Sequence, residues 1–389
     1  MRKWGVVVAV FGVLMLAGAA VLRFVILPGS MQLPADTNEK VVYSGKMTAL
    51  NAAALQRGDA KNAVIRDLPV TIQRTIKVEQ TDGNKALVSD SSVITTKQGG
   101  QKVATNQYFY TVDRKTMMAV PNFTSHPAQN AQGLAIGFPI GAKQQPYTGW
   151  LVEAQNTAPT NYVGKGNVQG VAVYQYKSDA TVPVKNPAAT GMPAALPKAL
   201  LPMLAKAFGL SPALQQQLAK ALPAMPANVP VAYSFTNNGN YWVEPTTGVV
   251  VNMNRATTTS FSIAGLPALK VPVSALAITY TPQNLADMVN KANDGLDKVF
   301  LYGTAIPLAL LVLGLIAIGA SVPMIRHHKE QPPSAPTAPG KPALTHREGN
   351  FPGALATASA WRECTRKASK LRKARKQVTG KLSMGRTSL

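Results

Sequence analysis

The chain has 389 residues, 46% of them hydrophobic and 15% charged, which is enough apolar sequence for one large domain or two smaller ones. Its formal net charge of +23 divides into +3 over residues 1–27, +9 over 28–298 and +11 over 324–389, a terminal bias that fits a membrane surface better than a nucleic-acid-binding domain. Cys364 is the only cysteine, so residues 28–298 have no disulfide and depend on core burial, which suits a bacterial exterior and not a small eukaryotic secreted scaffold.

The N-terminus opens with Arg2, Lys3 and Trp4, followed by an apolar run from Val6 to Ala20. Two readings are open. A signal peptide would end near Ala17-Gly18-Ala19-Ala20. A signal anchor over residues 1–27 would continue through Phe24 to Leu27, with Arg23 snorkelling to the interface. Either one carries residues 28–298 across the membrane.

Short strands dominate from residue 40 to 180. Val70 to Val78 alternates apolar and polar, Asp82-Gly83-Asn84 marks a turn, and Ala86 to Thr96 completes a hairpin pattern before Gly99-Gly100. Further strands are expected at Tyr108–Asp113, Val171–Tyr176, Val231–Phe235, Tyr241–Pro245, Gly248–Asn252 and Ala275–Tyr280. Thr48 to Arg57 reads as a short helix ending at Gly58. Residues 186–227 form an Ala/Leu/Pro-rich insert. Leu196, Leu200, Leu204 and Phe208 recur at four-residue spacing, with Pro202 breaking or restarting that helix. Ser211-Pro212 then caps a second helix striped by Leu214, Leu218 and Leu222. The spacing predicts a helical hairpin on a β domain. The hairpin either packs its leucines onto the sheet or forms an apolar mouth that admits a lipid.

Val299 to Pro323 has no charge over 25 residues, long enough to cross a bilayer. Pro307 is expected to free a carbonyl that a neighbour must satisfy. Arg326, His327, His328 and Lys329 follow and place this end in the cytoplasm by the positive-inside rule. Pro332 to Pro342 reads as a linker, and 324–389 as a basic cytoplasmic tail that is solvated or lies on anionic headgroups. Beside its basic run 362–376 only Trp361 offers a stacking partner, so no nucleic-acid partner is expected.

Chemistry-bearing motifs are sparse. His126 is the one histidine of residues 28–298 and sits in the loop-like Asn122-Phe-Thr-Ser-His-Pro, whose first three residues match a glycosylation sequon. No G-x-S-x-G, phosphate-binding loop or zinc ligand set is present, and Gly164-Lys165-Gly166 reads as a turn. Paired carboxylates stay open as glycosidase-type chemistry, because sequence alone cannot bring two of the 14 acidic residues together. A non-enzymatic protein without cofactor or metal is the expectation.

Four segments together resemble a known group: Tyr108-Phe-Tyr-Thr-Val-Asp-Arg, Phe138-Pro-Ile-Gly-Ala-Lys with Tyr147 and Trp150, Gly170-Val-Ala-Val-Tyr-Gln-Tyr, and Tyr241-Trp-Val-Glu-Pro-Thr-Thr-Gly. With the two-anchor layout, the chain over roughly 1–328 is similar to an actinobacterial envelope family of unknown function sometimes called porin A. In its motifs, Phe138, Pro139, Gly141, Trp242, Glu244, Pro245 and Gly248 are expected to fix strand ends. The layout also resembles class B scavenger receptors in architecture, which implies a lipid tunnel under a helical cap.

The resulting expectation is an α+β protein: an antiparallel sheet or barrel over 28–298 with a helical cap, flanked by N- and C-terminal transmembrane helices. Its function is to bind or pass a lipid or other hydrophobic envelope molecule, with Leu196, Leu200, Leu204, Phe208, Leu214 and Leu218 as the apolar site. The expected partners are membrane lipids, and envelope lipids or other envelope proteins, with the oligomeric state open. An oligomeric channel and an envelope scaffold are the competing readings.

Overall fold

The computed structural model describes residues 2–123 and 126–326. His327, His328, Cys364, the linker 332–342 and the basic run 362–376 lie outside them, as does Thr124 of the sequon.

Helix α1 (Arg2–Val21) runs through a π-helical turn at Leu22–Ile26 into the short α2 (Leu27–Ser30). At the other end, α6 (Pro282–Phe300) passes through a matching π-helical turn at Leu301–Ala305 into α7 (Ile306–Arg326). Both are long and apolar enough to cross a membrane. They pack antiparallel through small residues: a Cβ on Gly12 would sit 2.7 Å from the Gly314 carbonyl oxygen, and one on Gly314 would sit 2.8 Å from that of Gly12. Close backbone approach is how helices associate where no hydrophobic driving force exists. Pro307 has no N–H to offer the carbonyl of Gly303, four residues back. Arg23 donates to that carbonyl instead. The side chain expected to snorkel outward is therefore engaged between the two helices. The apolar run 299–323 lies within a helix that begins earlier, at Pro282, and runs on across residue 299.

Between the helices lies an antiparallel sheet. Its strands are β1 (Asn38–Leu50), β2 (Val64–Asp82), β3 (Lys85–Thr96), β4 (Lys102–Asp113), β5 (Tyr147–Leu151), β6 (Asn156–Val168), β7 (Val171–Pro183), β8 (Ala195–Pro197), β9 (Asn228–Val243), β10 (Val250–Ile263) and β11 (Leu266–Tyr280). The order is β4-β3-β2-β1-β11-β10-β9-β7-β6-β5, with β8 added against β9. The β2–β3 hairpin pairs Val70 with Thr96 and Asp82 with Lys85, around the turn read at Gly83. The sheet curls until its edges approach. Isolated bridges Val112–Ala119, Met118–Leu134 and Leu134–Gly149 then step from β4 to β5.

Every second connection falls on the same rim. The long helices join one rim, at Asn38 and Tyr280. The far rim carries α3 (Ala52–Gln56), the β3–β4, β5–β6 and β10–β11 turns, and the insert with α4 (Leu200–Ala207) and α5 (Pro212–Ala221). Helix α6 lies on the outer face of the sheet, where Val289 and Ala292 cover Val171, Val173 and Val251. Its N-terminus is capped by Thr281, and Asn284 Oδ1 accepts from the Val42 amide at 3.0 Å.

Two helix expectations need correction. Thr48 to Leu50 belong to β1, where Thr48 and Ala49 ladder to Ala275 and Ser274, so only Ala52–Gln56 is helical, capped by Asn51. Leu196 lies in β8, because Pro197 disfavours a helical residue before it. Helix α4 starts at Leu200 and carries Pro202 in its first turn, where the missing N–H costs nothing. Its buried stripe is Leu201, Leu204 and Ala205.

Candidate functional site

The alternation of β2 places Val70, Ile72, Arg74 and Val78 on one parity, and that parity points into the curl. A cavity of about 310 Å³ lies there, at the small end of ligand sites. Ile72, Ile94, Ile136, Phe138, Trp150, Met253 and Ile278 give it apolar walls, and Tyr43, Tyr108, Tyr110, Tyr241 and Tyr280 add phenols.

Two ion pairs stand in this wall. Arg74 on β2 donates to Asp90 on β3 in fork geometry, Nε to Oδ1 at 2.8 Å and Nη2 to Oδ2 at 2.7 Å. Arg255 on β10 reaches Glu153, on the turn after β5, at 2.9 and 3.2 Å, while its Nε donates to Asn237 Oδ1 at 2.6 Å. The Asn237 amide donates in turn to Ser178 Oγ at 3.0 Å. Side-chain exposure is 27% and 12% for Arg74 and Asp90, and 21% and 38% for Arg255 and Glu153, so both pairs remain reachable from the cavity.

Burial works against the charged form of each arginine. The facing carboxylate outweighs it, so Arg74 is held well above its ordinary value and Arg255 above its own. Burial likewise opposes ionisation of Glu153, but Arg255 brings it below the usual carboxylate range. Burial raises Tyr43, Tyr241 and Tyr280. At neutral pH the wall therefore offers neutral phenols beside locked, charge-balanced pairs. Among the described residues no group of three or more His, Cys, Asp or Glu could hold a metal ion.

The motif residues meet in space. Glu244, almost fully buried, accepts from the amides of Thr246 and Thr247 at 2.9 and 2.7 Å and from the Thr247 hydroxyl at 2.6 Å, which folds the turn through Pro245. Gly248 closes that turn at φ +74°, and a Cβ there would lie 2.7 Å from the Pro139 carbonyl oxygen. Gly141, at φ +76°, donates its amide to Thr246. Phe138 is thereby held against Tyr176 and Tyr241, with ring centroids 4.7 and 5.7 Å away, and forms part of the cavity wall. Trp242 faces the other way, into the layer beneath α6.

The cap residues lie elsewhere. Leu204 and Leu218 are buried, and Leu196, Leu200, Phe208 and Leu214 pack around them in a core shared with Tyr233, Phe235, Phe261 and Val271. None of the six lines the cavity. Of the ion-pair residues, the sequence carries a signal for Arg74, a charge in the otherwise apolar alternation Val70, Ile72, Ile76, Val78, but none for Arg255, because β10 carries threonines at that parity and a bulge between Val250 and Asn252.

No curated protein matches the chain. Solved structures give slight likenesses to dehydratases. They are a MaoC-like dehydratase (11% identity, covering 69% of this chain and 82% of that one, TM-score 0.12), a monomeric dehydratase domain from a trans-AT polyketide synthase split module (8%, 61% and 82%, 0.11), and a putative MaoC domain protein dehydratase from Chloroflexus aurantiacus J-10-fl (13%, 68% and 80%, 0.13). At these TM-scores they bear on neither fold nor chemistry. The family model described as Porin PorA matches residues 4–322, which takes in the sheet, the cavity and nearly all of both long helices, and the chain belongs to that family.

Proposed function

We propose that this is a membrane-anchored cell-envelope protein, with both termini cytoplasmic, whose sheet domain binds a lipid or another amphipathic envelope molecule inside the curl. The cavity carries this reading. It combines apolar walls for a hydrocarbon segment with phenols and two charge-balanced ion pairs for a polar, uncharged group. A non-catalytic role is favoured because each carboxylate is held by an arginine, which suits neither a general acid nor a nucleophile.

The family description favours a second reading, a channel. A membrane-spanning barrel needs an outward apolar band. Outside the long helices, the exposed large hydrophobics among the described residues are only Ile65, Val103, Met118 and Val163. The cap core also fills the far end of the curl. These features support binding over conduction.

Native mass spectrometry of the full chain, released from detergent, tests the reading. A stoichiometric lipid should be retained by the wild type and lost on filling the cavity with Ile136→Trp. It should persist in Leu214→Ala, which touches only the cap. A wild type that stays empty when offered envelope lipids, yet conducts ions in a planar bilayer, would overturn binding in favour of the channel.

A further inference from the structure

The charge of residues 28–298 is not shared between the two rims. The connections on the far rim hold Arg57, Lys61 and Arg66 after β1, Lys97 and Lys102 about the β3–β4 turn, Lys185, Lys198, Lys206 and Lys220 in the insert, and Lys270 near the β10–β11 turn. Asp59, Asp67 and Glu153 of the β5–β6 connection oppose these ten, Glu153 being paired to Arg255, and the β7–β9 connection 184–227 has no acidic residue at all. The far rim therefore carries +7, and the rest of 28–298, including the rim bearing the long helices, carries +2.

Nine of the ten are exposed and Lys198 is half-buried. None takes part in the five ion pairs found among the described residues. The crown is one structural unit at least in part, since Arg66 donates to the Ala207 carbonyl and stacks over the Phe208 ring at 6.0 Å. Two of the four exposed large hydrophobics outside the long helices, Ile65 and Val103, stand beside Arg66 and Lys102 in this crown. Lysines and arginines spread over several connections, with scattered aliphatics among them, match a lipid headgroup surface. A grooved, stacking-rich site would suit a single polymer strand better.

We propose that the far rim is an electrostatic docking surface for an anionic lipid layer facing the membrane that holds the helices. This rests on the membrane-anchored reading, but not on the cavity holding a ligand. Strand β10 has 14 residues, and at about 3.3 Å per residue it sets the two rims roughly 45 Å apart along the strand. The crown is thus beyond the reach of the membrane that holds the helices, because charges act only within about 8 Å at physiological ionic strength.

The test is vesicle capture. The full chain is placed in phosphatidylcholine liposomes in which the sheet domain, and not the tail, is open to added protease. Vesicles containing phosphatidylglycerol should be captured, vesicles of phosphatidylcholine alone should not, and capture should fall as salt rises. Reversing Arg57, Lys206, Lys220 and Lys270 to Glu should cut capture at least tenfold, given roughly a fivefold contribution per basic residue near such a surface. Reversing Lys40, Lys85, Lys143 and Lys165, all off the crown, should not. If the fourfold variant misfolds, Arg57→Glu with Lys270→Glu and Lys206→Glu with Lys220→Glu serve as separate pairs. No capture by the wild type, undiminished capture by crown variants, or binding of soluble heparin without vesicle capture would each overturn the proposal. The cavity-filled Ile136→Trp should still capture, which keeps a failure here distinct from a failure of cavity binding.

Discussion

Arg74 and Asp90 show how much one inward charge demands of its surroundings. A guanidinium in a cavity wall survives because a carboxylate two positions along the next strand meets it in fork geometry. Removing one member leaves the other desolvated and uncompensated, which costs more than the pair contributes. Arg74→Met is expected to destabilise the domain by about 3 kcal/mol, at the low end for buried pairs because part of the pair faces the cavity. Adding Asp90→Leu should recover most of that loss. Denaturation of the detergent-solubilised chain, followed by tryptophan fluorescence, measures both. A double variant as unstable as the single would mean that the aliphatic replacements, and not the stranded charge, cause the loss. At this scale Arg74 was legible in the sequence, since parity with Val70, Ile72, Ile76 and Val78 marks it as inward, whereas the bulge between Val250 and Asn252 hides the facing of Arg255.

Among the elements, the two long helices are joined by a donor and an acceptor that each lacked a partner. Pro307 withholds an amide from Gly303, and Arg23 supplies a guanidinium in its place. The two π-helical turns bring these groups to the same level. Arg23→Leu should loosen the helix pair, whereas Pro307→Ala restores the backbone donor and should make the arginine less necessary. A double-mutant cycle on thermal stability in detergent is expected to give a coupling of about 1 kcal/mol, within the range for polar contacts between membrane helices. Strictly additive effects would show that the two positions act separately. Pro307 signalled the freed carbonyl in the sequence. Its partner lies 280 residues away and became visible only when the helices were paired.

For the molecule as a whole, the enclosure of the cavity depends on a few backbone bonds. Leu134 donates its amide to Thr148 at 2.8 Å and accepts from Trp150 at 2.9 Å, and this step joins the loop after β4 to β5. Leu134→Pro removes the donor and should part the seam. Hydrogen exchange should then rise in β5 and in residues 118–120, while the β9–β10 pairing stays protected. Equal protection throughout would mean that side-chain packing, not this bridge, holds the curl closed.

The amino-acid sequence alone suffices for the α+β class, the two apolar helices, the hairpin turns and the existence of a helical insert. Each of these is written in local periodicity and in Gly or Pro signals. It also contained the Phe138–Gly141 and Glu244–Gly248 motifs, though not their contact with each other. Long-range pairing, by contrast, makes Thr48 to Leu50 the end of a strand, closes the cap leucines into a core, and brings Arg74, Asp90, Glu153 and Arg255 around one cavity. Local propensity cannot carry that information. Strands far apart in the chain become neighbours through the curl of the sheet, and a one-residue change of register would turn every one of those side chains to the opposite face.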